Sequence, residues 1–192
     1  MIEYRSPWMD DELELFRDAA RRFVEHEIVP NDARWREQHH VDRELWNKAG
    51  EVGLLCTDIP AEYGGLGGDA RHEAVVCEEM GRRGITSFGH TVHSILAHYV
   101  LNYGSDEQKH DWLPRMASGE LVGAIAMTEP GAGSDLQAVK CRAMREGDHY
   151  VINGAKTFIS NGLHAGLVGV VCKTDPSKGS KGISIIMVET KD

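Results

Sequence analysis

No stretch of about 18 consecutive apolar residues occurs in the 192-residue sequence, so no membrane-spanning helix is predicted. Cys56, Cys77, Cys141 and Cys172 lie far apart with no CxxC pair. That disfavours a disulfide frame or a zinc ribbon and favours free thiols in a reducing compartment. Cations are in the minority, with 21 Lys and Arg against 30 Asp and Glu and a formal net charge of −9. A nucleic-acid surface needs clustered Lys and Arg, so nucleic acid is excluded as a partner. A phosphorylated cofactor is not, because backbone N–H groups can hold phosphate without side-chain charge. The opening MIEYRSPWMDDELE is acidic and has no apolar run, so it reads as neither signal nor transit peptide. The expected location is the bacterial cytoplasm, or the mitochondrial matrix after trimming. There is no internal repeat and no low-complexity segment.

At 41% hydrophobic and 27% charged, the composition is that of an ordinary globular protein, long enough for one large domain or two small ones. From Met9 to about Gly119 the apolar spacing is helical. Leu13, Phe16, Ala20 and Phe23 recur at three and four residues, and Pro30 closes that segment. Leu45, Trp46 and Ala49 mark a second helix ending near Gly53, and a third is expected from about Arg71 to Gly81 after the glycine-rich connector DIPAEYGGLGGDA. From about Ser87 to Tyr103, Val92, Ile95, Leu96, Tyr99 and Val100 fall on one side, with Gly104 as the C′ stop. Ser105-Asp-Glu-Gln108 then fits a capping box.

After Gly119 the texture changes to short runs rich in β-branched and apolar residues: LVGAIAMT, AVKCRAMR, HYVING, AKTFIS, LVGVVCKT and GISIIMVE. Turn pairs at Gly147-Asp148, Asn153-Gly154 and Asn161-Gly162 separate them, and Asn153-Gly154 is the strongest hairpin signal. The expected fold class is therefore α+β. An all-α domain over residues 1–120 precedes an incomplete antiparallel β-barrel or sandwich over 121–192. The last run stops three residues before the C-terminus and leaves an open edge, which leads to the expectation of a longer protein or a partner chain.

The stretch AMTEPGAGSD (126–135) sets two glycines one residue apart. It lacks the third glycine of a dinucleotide fingerprint, since Leu136 stands there, and no Gly-Lys-Ser/Thr follows to make a phosphate loop. It is either a glycine turn between strands or a groove lined by backbone amides and the hydroxyls of Thr128 and Ser134. In KTFISNG (156–162), Phe158 and Ser160 alternate on one face if the run is a strand. The pair could then frame a flat heteroaromatic ring, or be the ordinary contents of a half-buried strand. His90 and His93 could share a helix face while His98 is rotated away. With no cysteine or carboxylate at ligand spacing, no metal site is expected. His39, His40 and His110 read as solvated surface, and Trp8, Trp35, Trp46 and Trp112 as core. Ser134 lacks the GxSxG elbow of a hydrolase.

Taken together, AMTEPGAGSDL, GAKTFISNG, IPAEYGGLGGD, GSDEQKHDWLPRMASGE and the Pro30 region resemble the acyl-CoA dehydrogenases, over essentially the whole chain and in the expected order. The wording of the first motif and of FISNG is closest to the long-chain branch. The resemblance implies an FAD flavoprotein with a helical N-terminal domain, a central β domain and a C-terminal helical domain. It implies flavin contacts from Ile125, Ala126, Met127, Thr128, Glu129, Pro130, Gly131, Ala132, Gly133 and Ser134, and from Phe158, Ile159 and Ser160. Thr128 would bond the isoalloxazine edge. Phe158 stands where a stacking aromatic, often Trp, is found, and Ser160 where the hydroxyl is often that of Thr. Ser134 would also touch the acyl-CoA substrate, and Thr91, Ser94 and Ile95 would line the acyl tail. Gly131 and Gly133 would let the chain pass close to cofactor and CoA without a Cβ in the way.

The implied reaction is α,β-dehydrogenation of medium- or long-chain fatty acyl-CoA in β-oxidation, with electrons passed to an electron-transferring flavoprotein and a homotetramer or homodimer as the complete assembly. The family's catalytic Glu belongs to the C-terminal helical domain, so no catalytic residue is expected in this chain, and alone it is expected to be inactive. Two other readings stand beside this one: a non-catalytic acyl-CoA or flavin-binding partner subunit, and a relative of the acyl-CoA oxidases.

Overall fold

The computed structural model describes residues 6–190, so the first five residues of the acidic opening and the last two of the tail lie outside the described residues. The chain divides into two units, Met1–Leu121 and Val122–Asp192.

The first unit is helical. Helix α1 (Asp11–Phe23) begins where the Asp10 carboxylate accepts the Leu13 N–H at 2.9 Å. Its first turn carries Asp11, Glu12 and Glu14 and its last turn Arg21 and Arg22, both favourable to the helix dipole. Leu13, Ala20 and Phe23 are buried, and Arg17 is buried among them. Arg17 pairs with Glu78 at 2.8 Å and lies 3.6 Å from the buried Glu79, which also holds Arg21 at 3.1 Å. These contacts fasten α1 to α4 (Ala70–Arg82). Beyond Phe23 the chain continues as one π-turn, Val24–Ile28, and Pro30, which has no N–H to donate, ends the run.

A helix not read from the sequence follows directly. This is α2 (Asp32–Gln38), which ends in a left-handed His39 and buries only Trp35. With a single apolar anchor in seven residues it has no periodicity to detect. Helix α3 (Glu44–Glu51) buries Leu45, Trp46 and Ala49 as expected. The glycine-rich connector is built by close contacts: a Cβ on Gly65 would lie 2.1 Å from the Ile59 carbonyl oxygen.

Helix α5 (His90–Tyr103) starts three residues later than expected, and its inner face differs from the expected one. His90, His93, Ser94, Leu96, Ala97 and Val100 point inward, whereas Ile95 is exposed and Val92 and Tyr99 are half-buried. Polar side chains with buried partners displaced the apolar stripe. Gly104 does stop α5, but with extended rather than left-handed backbone, and a Cβ there would sit 2.6 Å from the Val100 carbonyl oxygen. The capping box is present at the start of α6 (Asp106–Ala117): Ser105 Oγ accepts the Gln108 N–H at 3.2 Å, and the Ser105 N–H donates to Gln108 Oε1 at 2.9 Å. Trp35, Trp46 and Trp112 are core residues, while Trp8 is only half-buried.

The second unit is a single mixed sheet. Strand β1 (Val122–Ala126) pairs parallel with β4 (Ala165–Lys173), from Val122↔Ala165 to Ala126↔Val170. β2 (Arg142–Glu146) and β3 (His149–Asn153) form an antiparallel hairpin, and β2 meets β4 in parallel at Arg142↔Lys173. β5 (Ile183–Glu189) lies antiparallel along β4 from Leu167↔Glu189 to Lys173↔Ile183. The purely antiparallel arrangement expected from the short runs is thus corrected at β1 and β2, where loops long enough for a crossover separate the parallel partners.

The hairpin turn is Gly147-Asp148, between Glu146 and His149, with positive φ at Gly147 alone, as in a type II′ turn. Asn153-Gly154, expected as the hairpin, instead closes β3. A Cβ on Gly154 would lie 2.7 Å from Cys141, so glycine is there for close backbone approach. Cys141, Ala143 and Cys172 are buried together, with Ile152, Val170 and Ile186 packed on them.

Candidate functional site

The stretch after β1 turns back on itself at Pro130-Gly131, closed by reciprocal bonds between Glu129 and Ala132 (N–H to carbonyl, 2.8 and 3.1 Å). The Glu129 side chain is buried and points into the unit. It accepts the Lys140 N–H at 2.6 Å, the Cys141 N–H at 2.9 Å and the Lys156 ammonium at 2.9 Å. Burial opposes its charge, but these donors outweigh burial and hold the carboxyl below its ordinary range. Of the residues expected to face a cofactor, Glu129 can therefore offer only its backbone, and its ionised carboxylate is committed to structure.

Lys156 ties two distant segments together. Besides Glu129 it donates to the Met127 carbonyl at 2.9 Å. The next residue continues the seam: the Thr157 N–H donates to the Thr128 carbonyl at 3.0 Å. Asn161 Nδ2 then donates to the Gly123 carbonyl at 3.1 Å on β1. Residues 127–129 and 156–161 thus lie side by side.

The second segment is not the strand that its alternation implied. Residues 154–164 are irregular, with left-handed backbone at Phe158 (φ 56°) and Asn161 (φ 65°). The ladder is replaced by bonds from Lys156, Thr157 and Asn161, so two-residue alternation does not place Phe158 and Ser160. The turn leaves the Phe158 ring 92% exposed and Ser160 exposed, with Ile159 half-buried. A large aromatic held outward by an uncommon backbone conformation is an expensive arrangement for folding alone.

On the facing stretch, Ile125, Met127 and Thr128 are half-buried, Ala126 and Ala132 are buried, and Pro130, Gly131, Gly133 and Ser134 are exposed. Gly131 and Gly133 have no positive φ, and a Cβ on either would meet no protein atom within 4 Å. Neither backbone strain nor packing explains glycine at these positions. Among the described residues no hydrogen bond engages the hydroxyls of Thr128, Ser134 or Ser160. Exposed aromatic, unengaged hydroxyls and bare backbone thus lie on two segments bonded edge to edge, which suits a planar heteroaromatic ring.

In the helical unit, Thr91 and Ile95 share the exposed side of α5, while Ser94 turns inward and donates to Glu73 Oε2 at 3.3 Å. The three expected tail-lining residues are therefore split, two outward and one inward. His93 is fully buried between Trp46, Cys56 and the Met116 carbonyl, which lies 3.1 Å from its Nε2. Burial outweighs that contact and pushes its pKa down to about 4. His98 bonds Asp58 at 3.0 Å and His110 the Asp106 carbonyl at 2.7 Å.

The sequence reading missed two sets of residues. One is Lys156, which pairs with Glu129 although the two lie 27 residues apart. The reading also found no cysteine or carboxylate near the histidines, and the structure corrects it: Glu73 and Cys77, one turn apart on α4, both reach His90 at the start of α5.

A helical unit followed by a mixed-sheet unit, with this loop pair on the latter, is an arrangement with known counterparts. Residues 10–120 match the model for the acyl-CoA dehydrogenase N-terminal domain, and residues 124–192 that for the middle domain. The chain belongs to the acyl-CoA dehydrogenase family. It is 44% identical over 181 residues to the mitochondrial long-chain specific acyl-CoA dehydrogenase of Sus scrofa, covering 93% of this chain and 42% of that protein. It superposes on an acyl-CoA dehydrogenase from Geobacillus kaustophilus with a TM-score of 0.92 and 42% identity, covering 96% of this chain and 50% of that one. A Bacillus anthracis acyl-CoA dehydrogenase complexed with FAD gives a TM-score of 0.85 and 34% identity, covering 97% of this chain and 32% of that one. The chain spans less than half the length of the curated relatives it matches.

Proposed function

We propose that this chain supplies the flavin-facing wall and part of the acyl pocket of an FAD-dependent acyl-CoA dehydrogenase acting on medium- or long-chain fatty acyl-CoA in β-oxidation. The observation that carries the reading is the 3.0 Å bond from the Thr157 N–H to the Thr128 carbonyl, which sets the glycine loop beside the turn bearing Phe158. FAD, when bound, would supply the acceptor for the β-hydrogen, which leaves as hydride. Phe158 would stack on the ring system, and Thr128 and Ser160 would offer it hydroxyls. Gly131 and Gly133 keep side chains out of the path of the cofactor and the CoA chain. Ser134 holds the substrate, and Thr91 and Ile95 line the tail from the exposed side of α5.

Removal of the α-proton needs a carboxylate able to accept it, in an apolar pocket that lifts its pKa. Glu129 fails on both counts, because three donors occupy its inward-turned oxygens and hold its pKa down rather than up. The family resemblance implies that the base is a glutamate of the C-terminal helical domain, outside residues 1–192, and on this reading the chain alone does not turn over substrate. Electrons leave to an electron-transferring flavoprotein, and the complete assembly is a homodimer or homotetramer in the cytoplasm or the mitochondrial matrix.

The test is visible spectroscopy of the chain alone and of the chain assembled with a helical domain carrying the glutamate. The assembled protein is expected to be yellow and to bleach when a saturated acyl-CoA is added anaerobically. The lone chain is expected to be colourless, or to hold flavin that does not bleach. Bleaching by the lone chain would refute its inactivity. A colourless assembly, or flavin retained equally after Gly131→Val, would refute the dehydrogenase reading.

A further inference from the structure

We propose that Glu73, Cys77 and His90 form a binding site for one divalent cation of the zinc class. The proposal is independent of the flavin loop. Glu73 and Cys77 are four residues apart on α4 and project from one face. His90 opens α5 and brings Nε2 to 3.3 Å from Glu73 Oε1 and 3.6 Å from Cys77 Sγ, and the three ligand atoms all lie within 4.8 Å of one another. Tetrahedral zinc with bonds of about 2.0 Å to N and O and about 2.3 Å to S separates N from O by about 3.3 Å and N from S by about 3.5 Å. Those two separations agree with the geometry found here.

The arrangement fits shared ligation better than a hydrogen-bond network. In a nucleophilic triad the acid grips one ring nitrogen of histidine and the nucleophile the other. Here the carboxylate and the thiol converge on the same atom, Nε2, and the Thr91 hydroxyl approaches it as well at 3.4 Å. A single N–H can point to one of these partners, whereas a cation at their centre meets all three ligands at once. The carboxylate is also oriented for this. Thr57 and Ser94 donate to its other oxygen, Oε2, at 3.4 and 3.3 Å. Oε1 is left buried and faces His90 Nε2 at 3.3 Å, with no other donor among the described residues reaching it.

One thiolate, one imidazole and one carboxylate suit zinc, and also cobalt(II), rather than magnesium or calcium, which prefer all-oxygen ligands. Cys77 is exposed and gives the ion an entry path. His90 Nδ1 is buried without a hydrogen-bond partner among the described residues, so the site lacks the outer acceptor of the tightest zinc sites and its affinity is moderate.

Cobalt(II) provides the readout. The metal-stripped, reduced protein is titrated with cobalt while absorbance is followed. The expected result is one equivalent bound, with a thiolate-to-cobalt charge-transfer band, the visible bands of a tetrahedral ion, and displacement by zinc. Cys77→Ser is expected to abolish the charge-transfer band with unchanged circular dichroism. Ser94→Ala, which frees the carboxylate to rotate, is expected to weaken binding by about tenfold. Absence of the band in the native protein would overturn the site, as would its persistence in Cys77→Ser, which would assign it to Cys56 beside His93.

Discussion

The Lys156 ammonium lies 2.9 Å from Glu129 Oε1, and both side chains are nearly inaccessible, at 11% and 6% exposure. The pair anchors the glycine loop to the 154–164 segment, and breaking it leaves a buried charge. Lys156→Met is expected to lower the stability of the second unit by about 3 kcal/mol. Urea unfolding measures this, with hydrogen exchange showing the loss concentrated in residues 122–190.

Glu129 also predicts an acid limit. Its folded pKa is depressed below the ordinary glutamate value of about 4.5, so the unfolded chain binds the proton more readily. The stabilisation is in place above that value and is lost as pH falls through the lower folded value. A Glu129→Gln variant is expected to be less stable at neutral pH and to show a flatter decline below about pH 4.5 than the native protein.

His93 acts in a higher window. Its folded pKa of about 4 lies below the ordinary histidine value of 6.5, so stability is complete above 6.5 and falls between 6.5 and 4. The predicted loss over that span is roughly 3 kcal/mol. Thermal unfolding of the helical unit at a series of pH values checks it, and His93→Gln is expected to remove this dependence.

Two glycines should respond oppositely to alanine. Gly119 has φ +77°, and a Cβ there would lie 2.1 Å from the Trp46 carbonyl oxygen, so Gly119→Ala is expected to lose more than about 2 kcal/mol. Gly81 lies inside α4 with nothing within 4 Å of a Cβ, so Gly81→Ala is expected to stabilise by about 0.5–1 kcal/mol. Denaturant midpoints of the two variants decide both.

The α6 cap offers a smaller, cleaner change. Ser105→Ala removes the acceptor for the Gln108 N–H and is expected to cost about 1 kcal/mol, with Ser105→Asp retaining most of it.

The sequence was informative wherever a local rule governed the outcome. The helices carrying Leu13, Trp46 and Val75 and the Ser105 cap were legible because side-chain period and capping chemistry are local. The parallel pairing of β1 with β4 was not, because short apolar runs do not reveal which neighbour they will take. The outward placement of Phe158 was not legible for the reason the alternation offers. Strand alternation was invoked, whereas bonds to Met127, Thr128 and Gly123, all distant in sequence, hold it outward. The inner face of α5 was misread because His90, His93 and Ser94 are buried by partners on other elements, which a count of apolar residues cannot see. For the same reason the Glu73–Cys77–His90 cluster was invisible until two helices were set side by side.

Gly131 and Gly133 separate two kinds of selection. The protein's own atoms would tolerate a methyl group at either position, so a library sorted for heat resistance or proper folding would accumulate larger residues there. If the proposed flavin contact is right, only sorting for retained flavin would restore the bare backbone. On that proposal, designs that optimise this loop for rigidity alone would erase its purpose without any warning from the melting curve.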